Sequence, residues 1–393
     1  MLKNDSSFLL NKKILIVCHY SATAFIQHLE EFLIDKKIEK VLYISHPLYP
    51  RKDKIGSFLR LTKKGKIANY KTFKFFPAPD ILHYVKDIFL TIWWVYRKKE
   101  EWDVCIAADN LNTLAAIILK KIGLAKKVVF YTVDFVPNRF KNKFSNGFYH
   151  WIEKYAVINA DEVWILSPRM ITGREKYLKL DKKYRDKQVV VPEGVWINRI
   201  KKKPFEKINK HSAIFVGHII KRMGIQLVVE AIPSIIKKIP DFKFIVIGKG
   251  EYRTELEKLA KKLKVDKYIE FKGYIENHKE VENIIASCGV GIATYTKEDE
   301  SGLTFYADPA KTKLYSGTDL PVIMTDTFYN AYDIEKAGGG VVVGDNFVDV
   351  ANGIIKVIGS TTTLKKYRQD ALEFAKEFDH NKLFSDNLNR VLQ

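Results

Sequence analysis

His211-Ser-Ala-Ile-Phe-Val-Gly-His218 and, one unit later, Phe242-Lys-Phe-Ile-Val-Ile-Gly-Lys-Gly250 decide the fold of this 393-residue chain. Each is a short β-branched and aromatic run that stops on glycine and opens toward a helical pattern, Ile225 to Ile239 after the first and Thr254 to Lys264 after the second. Strand, glycine turn, helix, strand is the signature of a parallel sheet with helices on its faces. Glycine at such a turn lets the backbone approach a phosphate closely, and the helix that follows offers unpaired N–H groups and the positive end of its dipole. A tight connection with no ligand is the plain alternative for either turn alone; two in register favour the ligand.

The pattern extends both ways. Tyr268 to Phe271, Val290 to Ala293, Pro321 to Met324 and Gly340 to Val343 continue the second sheet. In the first half, strands are expected at Lys13–Cys18, Lys40–Ser45, Asp103–Ala107, Lys127–Thr132, Glu162–Leu166 and Gln188–Pro192. Helical spacing falls between them at Ala22–Asp35, Asn112–Ile122 and Asn146–Asn159. A basic, proline-punctuated stretch, 196–210, separates the two series, and a chain this long exceeds what one core supports. The expectation is an α/β protein of two Rossmann-like, doubly wound domains facing across a cleft, 1–195 and 211–374, joined by the linker 196–210.

The charge is unusual: 66 Lys and Arg against 46 Asp and Glu give +20. Arg51–Lys74 holds nine basic residues and one acid, Arg169–Lys187 eight and three, and Arg199–Lys210 six and one. These windows hold nearly all of the excess, and the second half is close to neutral. Such a surface concentrates anionic partners without specifying a fold. Three dispersed cysteines, Cys18, Cys105 and Cys288, exclude a disulfide framework or zinc-ligand spacing and read as buried thiols in a reducing compartment. The N-terminus has no apolar signal core, and no uncharged apolar window reaches about 18 residues. A cytoplasmic protein is expected, peripheral at most to the inner face of the plasma membrane.

After the glycine turns come Phe271-Lys-Gly-Tyr-Ile275, a helix with Val281, Ile284 and Ile285 on one face, Cys288-Gly-Val-Gly-Ile-Ala293, and a polar loop Glu298-Asp-Glu-Ser-Gly302. Asp308-Pro-Ala-Lys-Thr-Lys-Leu-Tyr315 and Leu320-Pro-Val-Ile323 follow. In this order, over residues 212–345, the chain resembles retaining GT-B glycosyltransferases of family 4. Val191-Pro-Glu-Gly-Val195 resembles that family's domain exit. Residues 375–393 resemble its closing helix, which returns to the N-terminal domain. The resemblance implies a nucleotide-sugar donor held by the second domain, with the base near Gly273, Tyr274 and Ile275. It implies a diphosphate over Gly217 and Lys311, with Gly248, Gly250, Gly302 and Tyr315 as further donor-side positions.

The chain departs from the family pattern in two places. The family usually has arginine after the first glycine and lysine before the next, both holding the diphosphate; here those positions are His218 and Met223. Lys221 and Arg222 on the same loop, or Lys311 on the later helix, are the candidate replacements. The family's paired glutamates are replaced by Tyr306 and Leu314, with Glu298–Glu300 and Asp308 as nearby acids. The sequence has no Asp-x-Asp triplet and its histidines are scattered, so no metal ligand set is expected. His218, Arg222 and Lys311 would neutralise the leaving diphosphate instead.

In the first domain, Asp134 ends a strand where the family often faces its acceptor, and it is taken with Lys311 as a candidate catalytic residue; an Asx-type cap is the alternative. His19, Asp109 and Asn110 stand at other strand ends and outline the same edge. Asp80–Tyr96 carries the helical stripe Ile81, Tyr84, Ile88, Ile92 and Val95, flanked by Leu82, Phe89, Trp93 and Tyr96. It reads as a core helix, or else as a membrane-surface helix beside Arg97-Lys-Lys99. The expected function is metal-independent transfer of a hexose to a lipid-linked or glycan acceptor at an anionic membrane surface, in polysaccharide biosynthesis. A sugar-nucleotide epimerase or hydrolase of the same fold, or a basic nucleic-acid-binding protein, are the alternatives. Nucleic acid is disfavoured, since the basic windows lack aromatic interleaving.

Overall fold

The computed structural model describes residues 7–20, 24–48, 56–75, 77–297 and 302–393. The chain divides into two compact units, 1–192 with 380–393, and 193–379.

Unit 1 begins with α1 (Ser7–Leu10), β1 (Lys13–Tyr20), α2 (Ala24–Asp35) and β2 (Lys40–Pro47). A hairpin, β3 (Ser57–Lys63) and β4 (Lys66–Phe73), comes before α3 (Asp80–Tyr96). Then follow β5 (Trp102–Ala108), α4 (Asn110–Lys121), β6 (Ala125–Thr132), α5 (Lys143–Asn159), β7 (Glu162–Ile165), α6 (Arg169–Leu178) and β8 (Gln188–Val190). The sheet order is β4-β3-β2-β1-β5-β6-β7-β8. Strand β1 sits inside because Ile14 to Cys18 are almost wholly buried on both faces, as a parallel strand covered by helices requires.

Two elements depart from the expected alternation. β3 and β4 pair antiparallel with β2 and with each other, so this edge of the sheet is a hairpin within the basic window 51–74. The two-residue turn Lys64-Gly65 has φ of 46° and 79°, the left-handed pair that a tight hairpin needs. Helix α6 occupies the start of the basic window 169–187, its Arg174 buried and bonded to Glu153 and Gln188.

Unit 2 runs β9 (Ser212–Val216), α7 (Ile225–Ile235), β10 (Lys243–Ile247), α8 (Arg253–Lys262) and β11 (Ile269–Gly273). It continues with α9 (His278–Ile285), β12 (Val290–Ala293), α10 (Leu303–Tyr306), α11 (Ala310–Gly317) and β13 (Val322–Thr325). It ends with α12 (Ala331–Lys336), β14 (Gly340–Val343), α13 (Phe347–Ile358) and α14 (Thr361–Lys376). All six strands are parallel, in the order β11-β10-β9-β12-β13-β14. Successive residues alternate between the two cores, Phe215, Phe244 and Val246 packing on one face and Ile214 and Ile247 on the other.

The stretch expected as a linker, 196–210, belongs to unit 2. Ile208 is part of its core, Phe205 packs against that core, and the Asn209 N–H donates to the Ser287 carbonyl. Apolar anchors at those positions outweigh the lysines between them. The last helix, α15 (His380–Leu392), belongs to unit 1, where Phe384 packs against Phe32 of α2 and Arg390 pairs with Glu162. No helix among the described residues is long and apolar enough to cross a membrane.

Candidate functional site

In unit 2 the strand order reverses between β9 and β12, and open α/β sheets bind ligands at the carboxyl ends of strands beside such a point. The two glycine turns stand there and are joined by backbone bonds. Gly217 N–H donates to Ile247 O at 3.0 Å, Ile219 N–H to Lys249 O at 3.0 Å, and Gly248 N–H to Gly273 O at 2.8 Å. Gly217 and Gly248 have φ of 145° and 142°, and a Cβ at Gly248 would lie 1.8 Å from the Gly217 carbonyl oxygen. A Cβ on Gly250 would lie 2.1 Å from Ile219 O. Glycine here is a packing requirement of the joined turns as well as a conformational one.

Lys311, in the first turn of α11, reaches back to this point. Its ammonium would lie 3.3 Å from a Cβ on Gly217, sits 4.1 Å from the Phe215 ring centroid and 5.1 Å from that of Tyr295, and approaches Met223 Sδ at 4.0 Å. Among the described residues no carboxylate pairs with it, and burial alone lowers its pKa to about 7. Its contact with Met223 bears on the departure from the family pattern: a cation is present at that side chain, delivered from α11 instead of from the glycine loop. Arg222 approaches the same aromatic from the loop, where its charge offsets part of the burial that raises the Tyr295 pKa. His218 is exposed.

At the end of β11, Gly273 has φ of 72° with open space where a Cβ would stand. Tyr274 is exposed with the Lys249 ammonium 4.8 Å from its ring centroid, and Ile275 packs on the core. Gly302 opens α10, and the acids Glu298–Glu300 lie outside the described residues.

Two candidate residues are turned away from solvent. Tyr315 is fully buried and its hydroxyl accepts from the Val216 N–H at 2.9 Å, so it supports the first glycine turn from beneath. Asp308 is buried too. It pairs with Lys313 and accepts from the Asn330 amide at 3.1 Å and the Glu193 N–H at 3.0 Å. Burial raises the Glu193 carboxyl to about 7, and Lys313 holds it down. Asp308 thus has its lone pairs committed to the domain exit. Tyr306, at one of the two lost glutamate positions, is buried, and Leu314, at the other, is half-buried.

Unit 1 has its own strand-end cluster. The corresponding reversal is between β1 and β5, and their ends present His19 and Asp109. His19 Nδ1 lies 2.5 Å from Asp109 Oδ2, and its Nε2 lies 3.7 Å from Asp87 Oδ2 of α3. Asp109 has φ of 76°, a strained backbone for a non-glycine residue, and its side chain accepts from the Asn112 N–H at the start of α4. His46, at the end of β2, contacts Asp87 Oδ1 at 3.1 Å and Thr91 Oγ1 at 2.7 Å. Burial works against a charge on His19, but Asp109 and then Asp87 outweigh it and raise its pKa to about 9. Burial lowers that of His46. Asp134 pairs with Arg139 at 3.3 Å and is half-buried on the loop after β6.

Sequence reasoning named His19, Asp109 and Asn110 but missed His46, Asp87 and Thr91. The signal was present in α3: His83, Asp87 and Thr91 are spaced four apart and form a polar stripe. The raised pKa has a sign. His19 is charged more readily in the folded chain than at its ordinary value of 6.5, so its contribution to stability is complete below 6.5 and lost as pH rises through about 9. Asp109→Asn is expected to weaken that pH dependence and to lower the His19 pKa, Asp87 alone remaining to raise it, as read by NMR titration and by melting curves from pH 6 to 10.

Residues 197–305 match the family model described as glycosyl transferases group 1. An uncharacterized glycosyltransferase of Methanocaldococcus jannaschii is 26% identical over 375 residues, covering 90% of this chain and 88% of the relative. The alpha-monoglucosyldiacylglycerol synthase of Acholeplasma laidlawii is 31% identical over 135 residues, covering 34% of this chain and 31% of the relative. The crystal structure of Anabaena HepE in complex with UDP-glucose superimposes with a TM-score of 0.68 at 14% identity, covering 97% of this chain and 100% of that one. With the glycine turns of unit 2 inside the matched segment, and two Rossmann-like units in the chain, the protein has the GT-B fold and carries a segment of the group 1 glycosyltransferase type at 197–305.

Proposed function

We propose that the protein transfers a hexose from a nucleotide-sugar donor, with retention and without a metal, to a lipid-linked or cell-surface glycan acceptor at the cytoplasmic face of a membrane. The observation that carries the donor side is the Lys311 ammonium, with no carboxylate partner among the described residues, set against the Gly217 turn. A diphosphate bound there meets a cation that burial has left poorly solvated, and it restores the charge-assisted bonds that the site lacks when empty. As the sugar leaves, negative charge grows on the diphosphate, and a preorganised ammonium is suited to stabilise it. Tyr274 and Lys249 offer an aromatic face and a cation beside the open Gly273, which suits a nucleoside. HepE was solved with UDP-glucose, which makes a UDP-sugar the first donor to test.

The acceptor side rests on unit 1, where most of the basic excess lies. The A. laidlawii relative is named for a diacylglycerol glycolipid, in keeping with an acceptor on a membrane.

A thermal-shift panel of UDP-, GDP-, ADP- and TDP-sugars tests the donor reading. One base is expected to raise the melting midpoint, since a ligand at a hundred times its dissociation constant adds about 2.7 kcal/mol. A panel with no shift by any nucleotide sugar overturns it. Incubation of the bound donor without acceptor separates the alternative: an epimerase or hydrolase turns it over, whereas a transferase leaves it nearly intact.

A further inference from the structure

Helix α3 buries polar residues and exposes a line of large apolar ones. Its buried face carries a polar stripe, His83, Asp87 and Thr91, beside Leu90, Trp94 and Val95, while Leu82, Val85, Phe89, Trp93 and Tyr96 face solvent, Phe89 at 69% exposure. These five residues are spaced three or four apart and form one line along the helix. Ile81, expected to face a core, is exposed at 60%. An exposed apolar line facing water is costly unless something covers it.

A second line stands on α5. Phe144, Phe148 and Trp151 follow the same spacing, Phe144 at 86% exposure, and the Phe148 and Trp151 rings stack at 5.9 Å. Helix α4 packs against both α3 and α5, and its Ile118 and C-cap Ile122 are exposed. Basic residues adjoin both lines in sequence. Arg97 lies over the Trp93 ring and is followed by Lys98 and Lys99, while Lys141 precedes and Lys143 begins α5. From Phe135 to Ile152 the sequence has no acidic residue.

We infer that α3 and α5 together form a surface that lies on an anionic lipid bilayer, with the two aromatic lines entering the acyl boundary and the flanking cations meeting lipid phosphates. Tryptophan, tyrosine and phenylalanine edged by lysine and arginine suit the headgroup region, and none of these helices is long and apolar enough to cross. Two lines on separate helices give an attachment that neither supplies alone, because the second engages at a high effective concentration once the first is seated. The inference rests on the reading of a membrane-borne acceptor and specifies the surface that would hold the enzyme there.

Co-sedimentation of the full chain with vesicles tests it. Binding is expected to vesicles of phosphatidylcholine with phosphatidylglycerol, to be weaker to phosphatidylcholine alone, and to fall with salt. The α5 variant F144S/F148S/W151S and the α3 variant F89S/W93S are each expected to lose at least tenfold in vesicle affinity. All five positions are exposed, so circular dichroism and the melting midpoint should stay close to those of the unmodified chain. Quenching of tryptophan fluorescence by brominated lipid should fall in Trp151→Phe. A chain that stays in the supernatant with anionic vesicles, an α5 variant that binds as tightly as the unmodified chain, or a stable dimer covering the patch overturns the inference. Vesicle binding without any nucleotide-sugar shift would leave this surface standing and sink the donor reading, and the reverse result would do the opposite.

Discussion

Lys311→Met is expected to lower sugar transfer by about 100- to 1000-fold, the scale seen when one preorganised donor of a charge-stabilising site is removed. The ammonium stands against Gly217 with no ionic partner among the described residues, so its charge is free for a bound diphosphate. The pH dependence has a definite sign. With the free pKa lowered to about 7 by burial, the group is largely neutral above pH 8, and a bound diphosphate must bring a proton with it. Donor affinity should therefore fall by up to about tenfold per pH unit above 7, and calorimetry at pH 8 in buffers of different ionisation heat should show proton uptake. Lys311→Met should flatten both. Stability should move the other way. The unfolded chain holds this proton more tightly, so the ammonium costs stability below pH 7, and the cost disappears as pH rises toward 10.5. The variant should melt higher than the unmodified chain at pH 6.5 and equally at pH 10. A variant that transfers normally at every pH would remove Lys311 from the mechanism.

Gly248→Ala is expected to cost about 3–5 kcal/mol in unit 2 and to abolish donor binding. The new Cβ would fall 1.8 Å from the Gly217 carbonyl oxygen, backbone that cannot swing aside as a flexible side chain would, at a φ of 142° that L residues rarely adopt. To relieve the clash the two turns must separate, which breaks the Gly217–Ile247 and Ile219–Lys249 bonds and displaces the N–H groups at the strand ends. Gly273→Ala is the control. It stands one strand over at a φ of 72° with nothing within 4 Å of its Cβ, and it should cost only about 1–2 kcal/mol of left-handed strain. Urea unfolding of the two variants measures the difference; equal costs would mean that backbone strain, and not the joining of the turns, explains both glycines.

The parallel strands were legible because a strand covered on both faces must be apolar throughout, and runs such as Lys13–Cys18 and Phe242–Ile247 satisfy that condition in the sequence itself. The β3–β4 hairpin was not, since an edge strand with one wet face carries lysines that break up the apolar run, although Lys64-Gly65 marks its turn. In the candidate site the strand-end positions were legible and the side-chain commitments were not. Asp308 and Tyr315 lie in the segment that sequence reading assigned to the donor, yet one is paired with Lys313 and the other bonds the Val216 N–H from beneath. Those partners are remote in sequence or hidden by the fold.

By itself the sequence determined two α/β units, the glycine turns at the ends of β9 and β10, and a positive charge confined to the first half, because burial periodicity, backbone freedom and net charge are local or additive properties. Only the tertiary structure decided that the cation at Met223 comes from α11, that His19 is held by Asp109 and Asp87, and that α3 turns its aromatic line outward. The direction of a side chain depends on what its neighbours offer. His83, Asp87 and Thr91 lie on the inner face of α3 with Leu90, Trp94 and Val95, two of the polar three in contact with His46, and Phe89, Trp93 and Tyr96 are left to solvent.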